Sequence, residues 1–257
     1  MIMQYIEIIV FLFGLAIGSF LNSIVFRYNT GESVANGRSR CFNCGRALSW
    51  AELIPVFSFL ILRGKCKNCS SKISWQYPAG ELLTGILFLA FFIEWQKKFP
   101  DNAAVLLFWF LICSFLVLIT LYDIKHKIIP DSFAYSFLAL AFLSKFIFSE
   151  INLLDLFLSL LPAAFLFSLW FFSKGRWMGL GDAKLMLGGG VFLGFPGVVY
   201  ALLLSFWIGA LAGIALLLGF SGITIKSEIP FGPFLILGIV LAFFFSDSLS
   251  FFSFFYA

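Results

Sequence analysis

The sequence predicts an all-α polytopic membrane protein with a small cytoplasmic zinc-binding loop domain between its first and second spans. Three observations lead there. Of 257 residues, 61% are hydrophobic and only 12% charged, and the mean hydropathy of +1.03 lies outside the range of soluble domains. The apolar residues come in stretches of about 20, the length that crosses the hydrocarbon layer as a helix. Four of the five cysteines fall in the one sizeable polar stretch.

Residues 6–26 form the first expected span. The segment 1–26 lacks a basic start and continues as a full-length span, so it reads as a retained helix rather than a cleaved signal. The polar stretch 27–78 follows, carrying Cys41-Phe42-Asn43-Cys44 and Cys66-Lys67-Asn68-Cys69 with 21 residues between the pairs. That is the spacing of a tetrahedral four-cysteine zinc site, each pair forming one knuckle. Two disulfides are the alternative, but they are rare in a reducing compartment. With thiolates at all four positions none is left for water, so the zinc is structural. The segment Arg40 to Trp50 is echoed by Lys65 to Trp75, one knuckle and a short apolar tail in each. So small a loop domain has little core, and the metal supplies much of its folding energy.

Further spans are expected at 79–95, 103–122, 132–149, 153–172 and 231–252. The stretch 183–220 is too long for one crossing. Gly188-Gly189-Gly190 and Gly194-Phe195-Pro196-Gly197 interrupt it, which makes two helices with a tight turn at Pro196. The total is about eight spans. The resulting division is a first helix (1–26), a four-cysteine domain (27–78) and a membrane-embedded domain (79–257). Cys113, inside the third span, reads as packing.

Basic residues in short loops stay on the cytoplasmic side. Arg27, Arg38, Arg40, Arg46, Arg63, Lys65, Lys67, Lys72, Lys125, Lys127, Lys174, Arg176, Lys184 and Lys226 fall on one side of the expected topology. Only Lys97 and Lys98 fall on the other, with Lys145 inside a span. Both termini are therefore expected outside, and the cysteine loop inside. Merging 183–220 into one span strands Lys226 on the wrong side, which favours eight. The net charge of +4 is spread over loops beside spans, which suits anionic lipid rather than nucleic acid.

Two aspartates stand where apolar segments meet basic ones, both on the expected cytoplasmic face. A carboxylate at a bilayer edge is costly, and so is a candidate functional group. Asp123 closes a span in Tyr122-Asp123-Ile124-Lys125; its bland reading is a solvated partner of Lys125 or Lys127. Asp182 sits in Gly179-Leu180-Gly181-Asp182-Ala183-Lys184, where the glycines let another backbone approach; its bland reading is a turn or helix cap. Two carboxylates within hydrogen-bond reach cannot easily ionise twice and share one proton. One then deprotonates a water while the other donates to a carbonyl oxygen, the chemistry of aspartic peptide hydrolysis. Asp131, directly after Pro130, is better read as a helix cap. The one histidine, His126, lacks the nucleophile or co-ligands that a triad or metal site needs.

At the end of the first span, Gly18-Ser19-Phe20-Leu21-Asn22 is followed by Arg27, and Glu81 lies one turn into the second. Gly18 can serve helix packing and Arg27 can snorkel; Asn22 is harder to explain that way. Glu81 either pairs with Arg27 or helps bind a charged ligand.

These motifs, taken in order, resemble bacterial type IV prepilin peptidases, bifunctional leader peptidases and N-methyltransferases of the Gly-x-Gly-Asp aspartic protease type that serve type IV pilus and type II secretion systems. The likeness is carried by Gly18-Ser-Phe-Leu-Asn22 with Arg27, the cysteine pairs, Glu81-Leu-Leu-Thr-Gly85, Asp123 with Ile129-Pro130-Asp131, Gly179 to Lys184, and Pro230-Phe-Gly-Pro-Phe234. It implies a multi-pass protein of the bacterial inner membrane that cleaves the basic leader of prepilins or pseudopilins after a glycine, on the cytoplasmic side, and then methylates the new amino terminus from S-adenosylmethionine. It implies Asp123 and Asp182 as catalytic, the zinc on Cys41, Cys44, Cys66 and Cys69, and Gly18, Asn22, Arg27, Glu81, Gly179, Gly181 and Lys184 as candidates for binding substrate or methyl donor. No glycine-rich dinucleotide-type fingerprint marks the donor site. The basic cysteine loop is expected to grip lipid head groups or to act once the leader has gone. Two other readings remain: a presenilin-like protease that cuts inside a span without methylating, and a non-enzymatic zinc-bearing carrier or assembly protein whose aspartates bind cations.

Overall fold

A computed structural model of the chain describes residues 2–31, 33, 37–148, 152–219, 224 and 228–245. Among them the regular structure is helical: α1 (Ile2–Arg27), a 3₁₀ turn (Trp50–Leu53), α2 (Phe57–Ile61), α3 (Gln76–Lys98), α4 (Ala103–His126), α5 (Asp131–Phe148), α6 (Leu153–Ser159), α7 (Leu161–Ser173), α8 (Leu180–Leu193), α9 (Gly197–Gly219) and α10 (Gly232–Phe245). Helices satisfy every backbone polar group within the segment, as lipid requires. The described extended segments pair only through isolated bridges, Arg40 with Ala47 and Lys65 with Lys72.

Six helical segments are long and apolar enough to cross a membrane: α1, α3, α4, α5, α6 and α7 taken together, and α9. They coincide with the expected spans from 6–26 to 153–172 and with the second half of 183–220. The other two expected spans are helical but shorter, with 14 residues each in α8 and α10. For 231–252 the tail from 246 onward lies outside the described residues, as do residue 149 and Lys226, on which the eight-span count leaned. The break expected at Pro196 is present: α8 stops at Leu193, Gly194 takes a φ of 71°, and α9 begins at Gly197. A second break was not expected. The segment 153–172 is interrupted at Leu160, because Pro162 brings no N–H and its ring crowds the preceding turn, so α7 starts afresh with proline in its first turn.

The chain divides into two compact units, Met1–Leu121 and Tyr122–Ala257. In the first, α1 lies along α3 at glycine distance: a Cβ on Gly14 would come within 2.8 Å of the Gly85 Cα, and one on Gly18 within 2.8 Å of the Glu81 Cα. Without a hydrophobic drive between helices in lipid, such close backbone packing is what holds them. Gly18 is thus occupied with packing. Cys113 is fully buried on α4, as its packing role requires. In the second unit α5 and α7 pack on α8, whose Leu185 and Met186 are fully buried. The charge inside the fourth expected span also finds its partner here. Lys145 Nζ lies 2.6 Å from Asp155 Oδ2, and Asp155 Oδ1 accepts the Phe195 N–H at 2.8 Å, tying α5, α6 and the α8–α9 turn together.

Candidate active site

Asp123 sits in the last turn of α4 and Asp182 in the first turn of α8, and they are only 4% and 8% exposed. Asp123 is therefore not the solvated partner of Lys125 or Lys127 that its bland reading makes it. Asp123 Oδ2 accepts the N–H of Gly232 at 3.1 Å, the first residue of α10, so the carboxylate faces a helix N-terminus, where negative charge is favoured. Asp182 Oδ2 accepts the Gly179 N–H at 3.2 Å. That bond is the helix cap a glycine-aspartate pair commonly makes; the burial of Asp182 is not explained by capping.

Ile129 joins the two halves of the site. It lies on the link between α4 and α5, and its Cβ stands 2.9 Å from where a Cβ on Gly181 would be. Its Cδ1 stands 3.2 Å from the corresponding point on Gly232, which is itself 2.5 Å from Asp123 Oδ2. One side chain therefore touches both glycines beside the aspartates.

Asp131 opens α5 as expected, but its carboxylate takes Lys184 Nζ at 2.7 Å. The candidate Lys184 is thus held by an ion pair to α5 and lies 5.5 Å from the Tyr135 ring centre. His126 stacks on Tyr122, with ring centres 4.4 Å apart.

In the first unit the cysteine pairs come together. Their four sulfurs all lie within 4.8 Å of one another, and all four are free thiols. Cys41 Sγ and Cys69 Sγ are 3.8 Å apart, while sulfurs at the corners of a zinc tetrahedron with 2.3 Å bonds stand about 3.8 Å apart. The cluster therefore fits a metal and not a disulfide. The two halves repeat at a shift of 25 residues: Cys41 N–H bonds the Arg46 carbonyl as Cys66 N–H bonds that of Ser71, both at 2.9 Å, and Leu48 N–H bonds Ser39 as Ile73 N–H bonds Gly64, both at 2.8 Å. Each knuckle then reaches across to the other. Asn43 Nδ2 donates to Cys69 Sγ at 3.6 Å and Asn68 Nδ2 to Cys44 Sγ at 3.7 Å, the outer contacts that orient metal ligands. The Ser71 hydroxyl, 3.1 Å from Cys69 Sγ, leads the hydrogen bonds that draw this thiol down to about 5. A thiolate is the form that binds metal.

Beside the knuckles lies a cavity of about 380 Å³ bounded by the ends of α1 and α3, lined among others by Ser19, Phe26, Arg27, Tyr77 and Glu81. Phe26 and Tyr77 stack with ring centres 4.8 Å apart. Arg27 and Glu81 share this cavity, yet each has other work. Arg27 donates to the carbonyls of Ser33, Gly37 and Arg38 at 3.1 to 3.2 Å, and Glu81 Oε2 accepts the Val56 N–H at 2.7 Å. Asn22, whose amide bonds the backbone of the lining residue Tyr77, is fully buried. Its Nδ2 bonds the carbonyls of Gly18 and Tyr77 at 3.2 Å, and its Oδ1 has no partner among the described residues.

Sequence reasoning brought Asp123, Asp182 and Gly181 to one place and Arg27 and Glu81 to another. It missed Gly232 and Ile129 at the first, and Ser19, Phe26 and Tyr77 at the second. The only prior signal for Gly232 was its setting between two prolines, in Pro230-Phe-Gly-Pro-Phe234.

Membrane-length helices, a buried aspartate pair in one compact unit and a four-cysteine cluster in the other define a polytopic helical membrane protein. Residues 12–95 match the family model of the Bacterial Peptidase A24 N-terminal domain, and 110–214 that of the Type IV leader peptidase family. A prepilin leader peptidase/N-methyltransferase of Bacillus subtilis (strain 168) is 35% identical, over 94% of this chain and 95% of the relative. The protein of the same name from Aeromonas hydrophila is 31% identical, over 94% and 91%. The chain belongs to the type IV leader peptidase family. No solved structure matches it.

Proposed function

We propose that this protein is a membrane aspartic endopeptidase that removes the basic leader of prepilins or pseudopilins at the cytoplasmic face of the bacterial inner membrane, and then methylates the amino terminus it exposes. The observation that carries the peptidase reading is the convergence of two buried carboxylates, Asp123 and Asp182, on glycines that share contact with Ile129. With one proton between them, the ionised aspartate takes a proton from water as its oxygen attacks the scissile carbonyl carbon. The protonated aspartate gives its proton to the carbonyl oxygen. Collapse of the tetrahedral species breaks the C–N bond, and the departing nitrogen takes back a proton from the dyad. Gly181 lets Ile129 pack close beside Asp182, and an acidic site attracts a basic leader.

The knuckle cysteines Cys41, Cys44, Cys66 and Cys69 hold a structural Zn²⁺; with four thiolates the metal is closed to water and takes no part in either reaction. The cavity between α1, α3 and the knuckles suits the second activity. S-adenosylmethionine, when bound, supplies a methyl group on a sulfonium cation. Stacked Phe26 and Tyr77 present aromatic faces to a cation, the Glu81 carboxylate orients a cation or amine, Arg27 braces the wall through its loop carbonyls, and Asn22 and Gly18 support the floor. Lys184 is left out of this set because Asp131 engages it.

Purified protein incubated with a prepilin peptide and a labelled methyl donor tests both activities. Cleavage without label transfer removes the methylation and spares the protease; no cleavage by folded protein removes both. Asp123→Asn and Asp182→Asn should each lose at least about 1,000-fold in cleavage while retaining the metal. Mapping the cut inside the substrate's apolar segment instead of at its edge would favour the presenilin-like reading.

A further inference from the structure

Between the knuckles runs Trp50-Ala-Glu-Leu-Ile-Pro-Val-Phe-Ser-Phe-Leu-Ile61, more apolar than a solvated loop needs to be. Phe59 is buried against the Trp75 ring, with centres 4.8 Å apart. Phe57, Leu60 and Ile61, on the opposite face of α2, are 55%, 60% and 79% exposed. Leu53 and Ile54 just before them are exposed as well, and Trp50 and Trp75 flank the group at 80% and 73%.

The depth of this segment can be read from α3. Val56 N–H bonds Glu81 Oε2, and Glu81 lies five residues beyond Gln76, the first residue of that membrane-length helix. Five residues of helix advance about 7.5 Å. Because a helical side chain leans back toward its own N-terminus, the backbone of residue 56 meets α3 within its first two turns, where a span enters the interface. The chain reverses there in a tight three-residue turn: Val56 has φ 61° and ψ −52°, and Phe57 N–H bonds the Pro55 carbonyl at 2.6 Å. A β-branched residue adopts that conformation only under strain. Charge points the same way. Between positions 37 and 75 there are seven basic residues and one acid, and that acid, Glu52, is taken by Arg46 and Ser49. Arg63, Lys65, Lys67 and Lys72 are exposed.

We propose that residues 53–61 lie in the plane of the membrane interface. Leu53, Ile54, Phe57, Leu60 and Ile61 enter the acyl chains of an anionic leaflet, Trp50 and Trp75 sit at head-group level, and the surrounding lysines and arginines meet lipid phosphates. The knuckle domain is then a surface-inserted body pinned between α1 and α3, and grips more than head groups.

The test places the photo-crosslinking residue p-benzoylphenylalanine at Leu60 or Ile61 of the full chain, in phosphatidylethanolamine–phosphatidylglycerol vesicles. Ile86, 56% exposed on α3, is the lipid-facing reference and Lys67 the aqueous one. After irradiation, lipid adducts counted by mass spectrometry at 60 and 61 should fall within about threefold of those at Ile86 and exceed those at Lys67 at least about tenfold. Adducts no higher than at Lys67 overturn the proposal. So does capture of an added apolar peptide at 60 and 61 with no lipid adduct, which would make this face a substrate groove.

Discussion

Gly232→Ala adds one methyl group at the point where α10 meets Asp123. The new Cβ would stand 2.5 Å from Asp123 Oδ2 and 3.2 Å from both Asp123 Cγ and Ile129 Cδ1. Ordinary carbon–oxygen contact is about 3.2 Å or longer, so the carboxylate must retreat by roughly 0.7 Å. It has little freedom to do so, being 4% exposed and held by the Gly232 amide, which the substitution itself leaves in place. A displacement approaching 1 Å at a reacting group costs about 100-fold in rate, equivalent to about 2.7 kcal/mol of transition-state stabilisation. Overpacking should take about 1–3 kcal/mol from stability as well. The assay is steady-state cleavage of a prepilin peptide, with kcat falling while KM changes little, run beside thermal unfolding. Gly213→Ala on α9 is the control, since a Cβ there meets nothing within 4 Å. Methylation of a pre-cleaved peptide should be spared. If Gly232→Ala cleaves at the wild-type rate, the reasoning that Gly232 sets the position of a catalytic carboxylate fails.

Glu81→Gln should reduce methyl transfer by at least about tenfold and leave cleavage within about twofold, measured on the same peptide with label and by mass. Asn43→Ala and Asn68→Ala should each weaken zinc binding about 10- to 100-fold in competition with a chelator, because each removes the hydrogen bond to a sulfur of the opposite knuckle. Asp155→Ala should lower stability by up to about 3 kcal/mol by leaving Lys145 uncompensated, and Lys145→Met in the same chain should recover the charge penalty but not the lost Phe195 N–H bond; denaturation in detergent reads both. Lys184→Met, by contrast, breaks a pair whose aspartate is 64% exposed and should cost no more than about 1 kcal/mol.

The parts of the molecule that were legible beforehand are those whose cost or spacing is local. Asp123 and Asp182 announced themselves because charge is scarce at a bilayer edge, and the knuckles because metal geometry fixes cysteine spacing within a few residues. The 25-residue repeat extends that legibility down to matching hydrogen bonds. Gly232 and Ile129 were not legible as site residues, since their value lies in contacts made across the fold, with Asp123 and Gly232 separated by 109 positions. The break at Leu160 escaped because a hydropathy window averages over Pro162. Lys145 was visible as an oddity inside a span, but its partner Asp155, ten residues on, reads from sequence as the first-turn acid of a new helix.

The bond from the Gly232 amide to Asp123 also orders the steps of biogenesis. A growing chain acquires Asp123 and then Asp182 well before it acquires Gly232. At ordinary synthesis rates the 50 positions from Asp182 to Gly232 take roughly 3–10 s. Throughout that interval both carboxylates exist without the amide and helix end that hold the first of them. Completion of the Asp123 site therefore waits on the synthesis of α10.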